Sequence, residues 1–242
     1  QFSLRKLYNE AEGINKYLIG SLLYLYLDKL NFLDQKDILE ISRKNGISSN
    51  SDLVPYDTIM KDGRISVHIL FADKDAAGGH YGPTADFFKQ KGYQAISHQG
   101  NEIALERGIV EIKLFKVDDG DYNIQSHIDQ ADIVISRSHA GKERDVFRPE
   151  DNAVVSSDYR GKILFASACR SATVLPSILR PYKNAKGIGI NTTGYGDMTN
   201  IVTYYLGEAL QKRVSTFSGI KDSIRPHLEQ EIKDYVFPGE PS

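Results

Sequence analysis

Two reactive side chains each follow a hydrophobic run of the sequence. His139 comes three residues after the apolar run 132–136, and Cys169 comes three residues after the apolar run 162–166. Short apolar runs of this kind are typical of buried strands, and a parallel sheet gathers the residues that follow its strands at one edge. If the two strands are neighbours in such a sheet, we expect the imidazole and the thiol to emerge together.

A thiol beside an imidazole can act as a nucleophile toward a carbonyl carbon. A free thiol has a pKa of about 8.5 and is only a few per cent thiolate at neutral pH, so it needs a base. An imidazole can take the thiol proton and later give it to a leaving amine, which contributes roughly 10²–10⁴-fold to such reactions. We expect the backbone N–H groups of Gly141 and Cys169 to bind the oxyanion.

The elements that position these residues are those of an α/β domain. From residue 63 onward, apolar strand patterns alternate with helical patterns, which favours a mostly parallel sheet with helices on its faces. The predicted strands cover residues 65–71, 94–98, 109–117, 132–136, 162–166 and 187–191. A glycine-rich turn is expected at 76–82, before a helix that starts at Pro83. Its histidine, His80, could face the same edge of the sheet.

Residues 1–62 have a helical pattern without a strand, so we interpret them as an N-terminal cap or prosegment. The domain that contains the chemistry is then predicted to span residues 63–242. The chain begins at Gln1 rather than Met, which we interpret as a domain excised or processed from a longer protein.

The two strand ends resemble those of the caspase-like cysteine peptidases, the group that also contains gingipains, clostripains, legumains, separases and metacaspases. In that group one hydrophobic strand ends in His-Gly and a later strand ends in Ala-Cys. The matching residues here are His139 with Gly141, and Ala168 with Cys169. The sequence departs from the pattern where Ala140 separates the histidine from the glycine, so the Ala140 N–H is an alternative oxyanion donor.

The resemblance covers roughly residues 63–212 and implies a specific fold and activity. It implies a three-layer α/β/α sandwich and a cysteine endopeptidase that cleaves peptide bonds. Cys169 is then the nucleophile and His139 the general acid and base. The resemblance also implies self-cleavage, since such enzymes are often made as zymogens, and it implies no metal or organic cofactor.

The pocket for the substrate residue before the scissile bond is also implied by the resemblance. In the caspase-like group it draws on the loop after the first strand, the residue two before the cysteine, and the loop after the following strand. The corresponding candidates here are Asp75, Ser167, Thr193 and Asp197. Acidic side chains in two of these segments would receive Arg or Lys, so we expect a basic or neutral substrate residue. Caspases instead select aspartate with arginines, which would point to Arg137 or Arg170.

Composition limits the classes of partner. Thirty basic and thirty-two acidic residues give a formal net charge of −2, so a whole-surface attraction to nucleic acid or anionic lipid is not expected. The longest apolar stretch, residues 17–27, is shorter than the roughly 20 residues that a membrane span needs. We therefore expect a protein or peptide substrate, no nucleic acid and no membrane span.

The cysteine count bears on the compartment. One cysteine gives no intrachain disulfide and fits a cytoplasmic protein or an effector delivered to a host cytosol; it is also compatible with secretion.

Three alternatives stay open from the sequence alone. The domain could be an inactive caspase-like scaffold that binds a partner, or a nucleotide through its glycine-rich segment. The same dyad could transfer or ligate acyl groups instead of hydrolysing them. Cys169 could also be an inert core residue, which is the commoner fate of a lone cysteine after a buried strand.

Overall fold

The chain divides into two compact units, residues 1–53 and residues 54–242. A computed structural model describes residues 8, 11–12, 52–56, 58–117, 124–139, 142–148, 159–194, 196–228 and 231–240. The helical region predicted for residues 1–62 lies mostly outside the described residues, and residues 58–62 form turns. The predicted chemistry belongs to the second unit, which the following paragraphs describe.

The second unit is built on an eight-stranded, mostly parallel sheet in its described part. The strands are β1 Ile65–Phe71, β2 Gln94–Gln99, β3 Glu102–Arg107, β4 Val110–Lys116, β5 Ile133–Arg137, β6 Ile163–Ser167, β7 Lys186–Ile190 and β8 Tyr235–Val236. Their order is β2-β3-β4-β1-β5-β6-β7-β8. The five strands from β4 to β7 in this order are parallel, whereas the pairs β2–β3, β3–β4 and β7–β8 are antiparallel. This sheet confirms the predicted α/β class.

Helices cover both faces of the sheet and give a layered α/β arrangement. They are α1 Lys74–Gln90, α2 Ile124–Gln130, α3 Glu143–Val146, α4 Leu175–Leu179, α5 Gly196–Gln211 and α6 Phe217–Leu228, with 3₁₀ turns at Ser171–Val174 and Glu231–Asp234. One core packs α1, α5 and α6 against one side of the sheet. A second core packs α2 and α4 against the other side. None of the helices in the described part of the chain is both long and apolar enough to cross a membrane.

The central strands read as continuous apolar runs because both of their faces are covered. All five residues of β5 are buried. Successive side chains of a strand point to opposite faces, so Ile133 and Ile135 enter the first core and Val134 enters the second. By the same alternation Arg137, the last residue of β5, lies on the face that carries α1 and α5.

The glycine-rich turn predicted for residues 76–82 is wrong, because this segment is helical. Helix α1 begins at Lys74 and runs through the glycines and Pro83. Asp73 caps it, with its carboxylate accepting a hydrogen bond from the Ala76 N–H at 2.7 Å. Proline removes one helical hydrogen bond and crowds the carbonyl four residues before it; here that residue is Gly79, which has no side chain and open space around it.

Candidate active site

The ends of β5 and β6 bring the two predicted reactive residues to the same place. The two strands are parallel neighbours, and their last paired residues are Arg137 and Ser167. Neighbouring strands lie about 4.8 Å apart. His139 and Cys169 each follow two residues after this last pair, so the chain delivers both side chains to one edge at matching positions.

A small cleft at this edge has both residues in its wall. Its volume is about 140 Å³, and its lining comprises Asp73, Asp75, Ala76, His80, Arg137, Ser138, His139, Ser167, Ala168, Cys169, Gly194 and Gly196. These residues come from the ends of β1, β5 and β6, from α1, and from the segment between β7 and α5. The cleft therefore lies at the carboxyl ends of the parallel strands, where α/β sheets place their ligands.

The His139 side chain is exposed and lies against carboxylates from the start of α1. Its Nε2 is 3.3 Å from Asp75 Oδ2 and 3.9 Å from Asp73 Oδ1. The side chain of Asp75 is 86% exposed, whereas that of Asp73 is only 4% exposed. The buried Asp73 also accepts a hydrogen bond from the His139 backbone N–H at 2.8 Å. One buried carboxylate thus fixes both the beginning of α1 and the backbone of His139.

Cys169 is half-buried and lies in a tight turn after β6. The Gly194 backbone N–H donates a hydrogen bond to its Sγ at 3.3 Å. The next residue, Arg170, has a left-handed backbone with φ of 58°, which is uncommon for a residue other than glycine and typical of functional turns. The sulfur is therefore held at the wall of the cleft by the segment that follows β7.

A buried hydroxyl secures the turn that carries the cysteine. Ser171 Oγ donates a hydrogen bond to the Ala166 carbonyl at 2.5 Å and accepts one from the Ile190 N–H at 3.0 Å. Ala166 lies in β6 and Ile190 ends β7, so the hydroxyl joins the two strands directly behind Cys169.

Arg137 is a buried cation at the floor of the cleft. Its Nη1 donates hydrogen bonds to Thr84 Oγ1 at 2.6 Å and to Asn200 Oδ1 at 2.9 Å. Its guanidinium also lies over the Phe71 ring at 5.1 Å from the centroid. Burial lowers the pKa of Arg137 to about 10, and the nearby Asp197 opposes this effect. The group therefore stays charged at neutral pH.

A buried acid, Glu143, supports the segment before His139 from the other face of the sheet. Its Oε1 accepts a hydrogen bond from the Ser138 hydroxyl at 3.1 Å, whereas its Oε2 has no partner among the described residues. Burial raises the pKa of Glu143 to about 8; the hydrogen bond from Ser138 opposes this, and repulsion from Asp73 adds to it.

The structure brings together four of the residues predicted for the site. His139, Cys169, Asp75 and Ser167 all line the cleft, as does His80. Ser167 Oγ is 2.6 Å from Thr199 Oγ1, which fixes its hydroxyl near the floor. Gly141, predicted as an oxyanion donor, and Ala140, its alternative, lie outside the described residues.

The other two predicted substrate-binding residues are not among the residues that line the cleft. Thr193 is exposed in the segment after β7, and Asp197 is exposed in the first turn of α5. Their neighbours Gly194 and Gly196 line the cleft instead. Within the residues that the structure describes, no group of three or more His, Cys, Asp or Glu side chains is placed to hold a metal ion.

Comparison with known proteins adds no assignment to this geometry. The chain matches no protein-family model, and a search of curated proteins finds no similar sequence.

Proposed function

We propose that the protein is a caspase-like cysteine endopeptidase with Cys169 as the nucleophile and His139 as the general acid and base. The observation that carries this proposal is the placement of the two residues in one cleft, at matching positions after two adjacent parallel strands. A structural cysteine needs neither a histidine in the same cleft nor a backbone donor to its sulfur.

In the proposed reaction, Cys169 Sγ attacks the carbonyl carbon of the scissile peptide bond, and the thiol proton passes to His139. A C–S bond forms, and the carbonyl oxygen takes up negative charge that backbone N–H groups, including that of Cys169, stabilise. The C–N bond then breaks as His139 protonates the leaving amine. Water hydrolyses the thioester, His139 takes a proton from that water, and the thiol is restored.

The carboxylates beside His139 suit this role. An acceptor at Nε2 favours a proton on that nitrogen and leaves Nδ1 with the lone pair that can accept a proton from the thiol. Asp75 provides the acceptor at 3.3 Å. Because the Asp75 side chain is 86% exposed, solvent screens this pair strongly, and its contribution is small. The buried Asp73 instead acts on the position of His139 through the backbone.

The alternative of a nucleotide-binding scaffold has no supporting observation at the glycine-rich segment. That segment lies inside α1, and the carboxylate of Asp73 already occupies the first turn of the helix. A carboxylate at this place repels a phosphate group, which would need the same N–H donors. A scaffold that binds a protein partner stays a prediction. It differs from the peptidase in the reactivity of the Cys169 thiol, which in a scaffold should be slow and independent of His139.

Thiol alkylation by iodoacetamide at neutral pH tests the dyad without knowledge of the substrate. Labelling of Cys169 in the full chain is followed by intact mass and compared with labelling of free cysteine. We expect Cys169 to react faster than free cysteine and to slow by at least about tenfold in His139→Ala. His98→Ala, an exposed histidine on β2, is the matched control and should keep the wild-type rate. A thiol that reacts slowly and responds equally to both substitutions would refute the dyad.

A further inference from the structure

A second cavity adjoins Cys169 and is separate from the cleft. Its volume is about 370 Å³, and its wall is formed by Glu143 and Arg144 of α3 and by residues of the turn after β6. Ser167 and Ala168, which precede the cysteine, line the cleft, whereas the residues that follow the cysteine line the second cavity. Cys169 is the residue that the two linings share. A peptide bound at the sulfur therefore has one space for each side of its scissile bond.

Glu143 is the buried acid of this second cavity. The residue is only 1% exposed, yet it belongs to the cavity lining. Its Oε1 accepts a hydrogen bond from the Ser138 hydroxyl at 3.1 Å, whereas its Oε2 has no hydrogen-bond partner in the described part of the chain. A buried polar atom without a partner costs about 1–3 kcal/mol. A polar group of a ligand in the cavity would remove this cost.

The Glu143 carboxyl is an uncharged group at neutral pH. Burial raises its pKa to about 8, and the negative charge of Asp73 adds to this effect. A protonated carboxyl donates one hydrogen bond and keeps its capacity to accept. Because Oε1 already accepts the Ser138 hydroxyl, the proton belongs on Oε2, the oxygen without a partner. The ligand group must therefore offer an acceptor to Oε2, and it can offer a donor to the remaining lone pair of Oε1.

The charged groups around Glu143 favour a ligand group without charge. Asp73 is the charge that acts on the carboxyl, and it would repel a carboxylate bound beside Glu143 in the same way. Arg144 and Arg170 are exposed members of the cavity wall, and they repel an entering lysine or arginine. The other titratable groups of the surrounding segments are Asp145 on α3, His139 after β5 and the thiol of Cys169.

A carboxamide meets all of these requirements. Its oxygen accepts a hydrogen bond, its NH₂ group donates two, and it has no charge. It can therefore pair with a carboxylic acid through two hydrogen bonds, one in each direction. A hydroxyl group could form one of these bonds, and an ammonium group has no acceptor for the proton on Oε2.

We propose that Glu143, as an uncharged acid, binds the side-chain carboxamide of a glutamine or asparagine in the substrate segment that follows the scissile bond. This inference rests on the proposed peptidase function. The cleft, with a volume of about 140 Å³, contains Asp75 and Ser167, two of the candidates for binding the residue before the bond. The larger cavity is then available to the segment after the bond, where Val174 offers an apolar contact for the methylene groups of the side chain.

Cleavage of peptides by the full chain tests this preference. A library of randomised peptides is digested, and the two residues after each cut are identified by mass spectrometry. We expect glutamine and asparagine to be enriched there. The best-cleaved sequence is then prepared with Gln, Met, Glu or Lys at the enriched position, since Met has nearly the shape of Gln without its hydrogen bonds. The expected kcat/KM for Gln is roughly 5- to 30-fold above that for Met, as one or two uncharged hydrogen bonds allow.

Substitutions of Glu143 separate hydrogen bonding from shape. Glu143→Gln keeps a donor and an acceptor and should keep the preference for Gln over Met, whereas Glu143→Met should abolish it. Asp145→Asn, an exposed change on the same helix, is the control and should keep it. In the wild type the preference should be present below pH 8 and fall above it, because the carboxyl then loses the proton that it donates. In Glu143→Gln it should not change with pH. Circular dichroism checks that each variant is folded.

A binding measurement keeps this inference distinct from the peptidase function. In Cys169→Ala protein labelled with ¹³C at the glutamate Cδ, the Glu143 signal is identified by its loss in Glu143→Gln. It is titrated with N-acetyl-glutamine methylamide and with the methionine, glutamate and lysine counterparts. A response to the glutamine compound alone supports the inference. No response, an equal response to the methionine compound, or a larger response to the glutamate or lysine compound would overturn it, as would a cleavage preference that Glu143→Met leaves unchanged. Absence of cleavage of every peptide, with the glutamine compound bound, would instead refute the peptidase function.

Discussion

The buried carboxyl of Glu143 makes the stability of the domain fall as pH rises. Its pKa is about 8 in the folded protein, against an ordinary value of 4.5. The folded state therefore keeps this proton over a pH range in which the unfolded chain has released it. The contribution of the Glu143 carboxyl to the free energy of unfolding is fully present below pH 4.5 and is lost as the pH rises toward 8. Substitution by glutamine removes the titration and keeps the shape and a hydrogen-bond acceptor for Ser138.

The size of this effect follows from the two pKa values. Between pH 5 and pH 7.5, a pKa of about 8 in the folded state lowers the free energy of unfolding by about 3 kcal/mol. For a domain of this size, each kcal/mol changes Tm by roughly 2–4 °C. We therefore expect Tm of the wild type to fall by about 6–12 °C more than that of Glu143→Gln over this pH range.

Thermal melting followed by circular dichroism measures the difference, since the chain has no tryptophan for fluorescence. Asp145→Asn is the matched control, because Asp145 is exposed on the same short helix, and it should follow the wild-type pH dependence. A Glu143→Gln variant whose Tm falls as steeply with pH as the wild type would show that Glu143 is ionised in the folded protein, against the burial that underlies the prediction.

Two further substitutions test how the site is supported. Gly189→Ala would place a β-carbon 2.8 Å from the Ala172 Cα. It should therefore destabilise the domain by about 1–3 kcal/mol and slow the labelling of Cys169. Gly78→Ala, whose new β-carbon would lie in open space on α1, is the control and should be neutral or stabilising in the same melts. Asp73→Asn keeps a capping oxygen but turns an amide toward the His139 N–H. The free energy of unfolding in urea should therefore fall by about 1–3 kcal/mol, and the rate of Cys169 labelling by iodoacetamide should fall toward that of His139→Ala. Wild-type values for both would contradict a positioning role for Asp73.

Most of the fold that could be predicted from the sequence came from the apolar runs of the central strands. Runs such as 132–136 and 162–166 identify strands that are covered on both faces, and the structure places both strands within one residue of these bounds. Strand β3 was not predicted, because Glu102–Arg107 has charged ends around a short apolar centre. Strand β8 has only two residues, too few for a periodicity to be read.

The parts of the site that were not assigned from the sequence depend on packing. The place of Arg137 could have been inferred from alternation along β5, since it shares a face with Ile133 and Ile135. Its hydrogen-bond partners, Thr84 and Asn200, depend on how α1 and α5 pack against that face. The two hydrogen bonds that Asp73 accepts, from the N–H groups of Ala76 and His139, depend on how β1 leads into α1. The glycine-rich segment was assigned as a turn because helix propensity disfavours glycine and proline. Packing of the helix's apolar face, with Tyr81, Ala85 and Phe88 in the core, stabilises it against that preference.

The most direct test of the central proposal is cleavage of a peptide library by the wild type and by Cys169→Ala, with products identified by mass spectrometry. We predict cuts by the wild type that vanish in the variant. Identical product lists for the two proteins, or no cuts by either under conditions where both are folded, would contradict the assignment of Cys169 as a peptidase nucleophile.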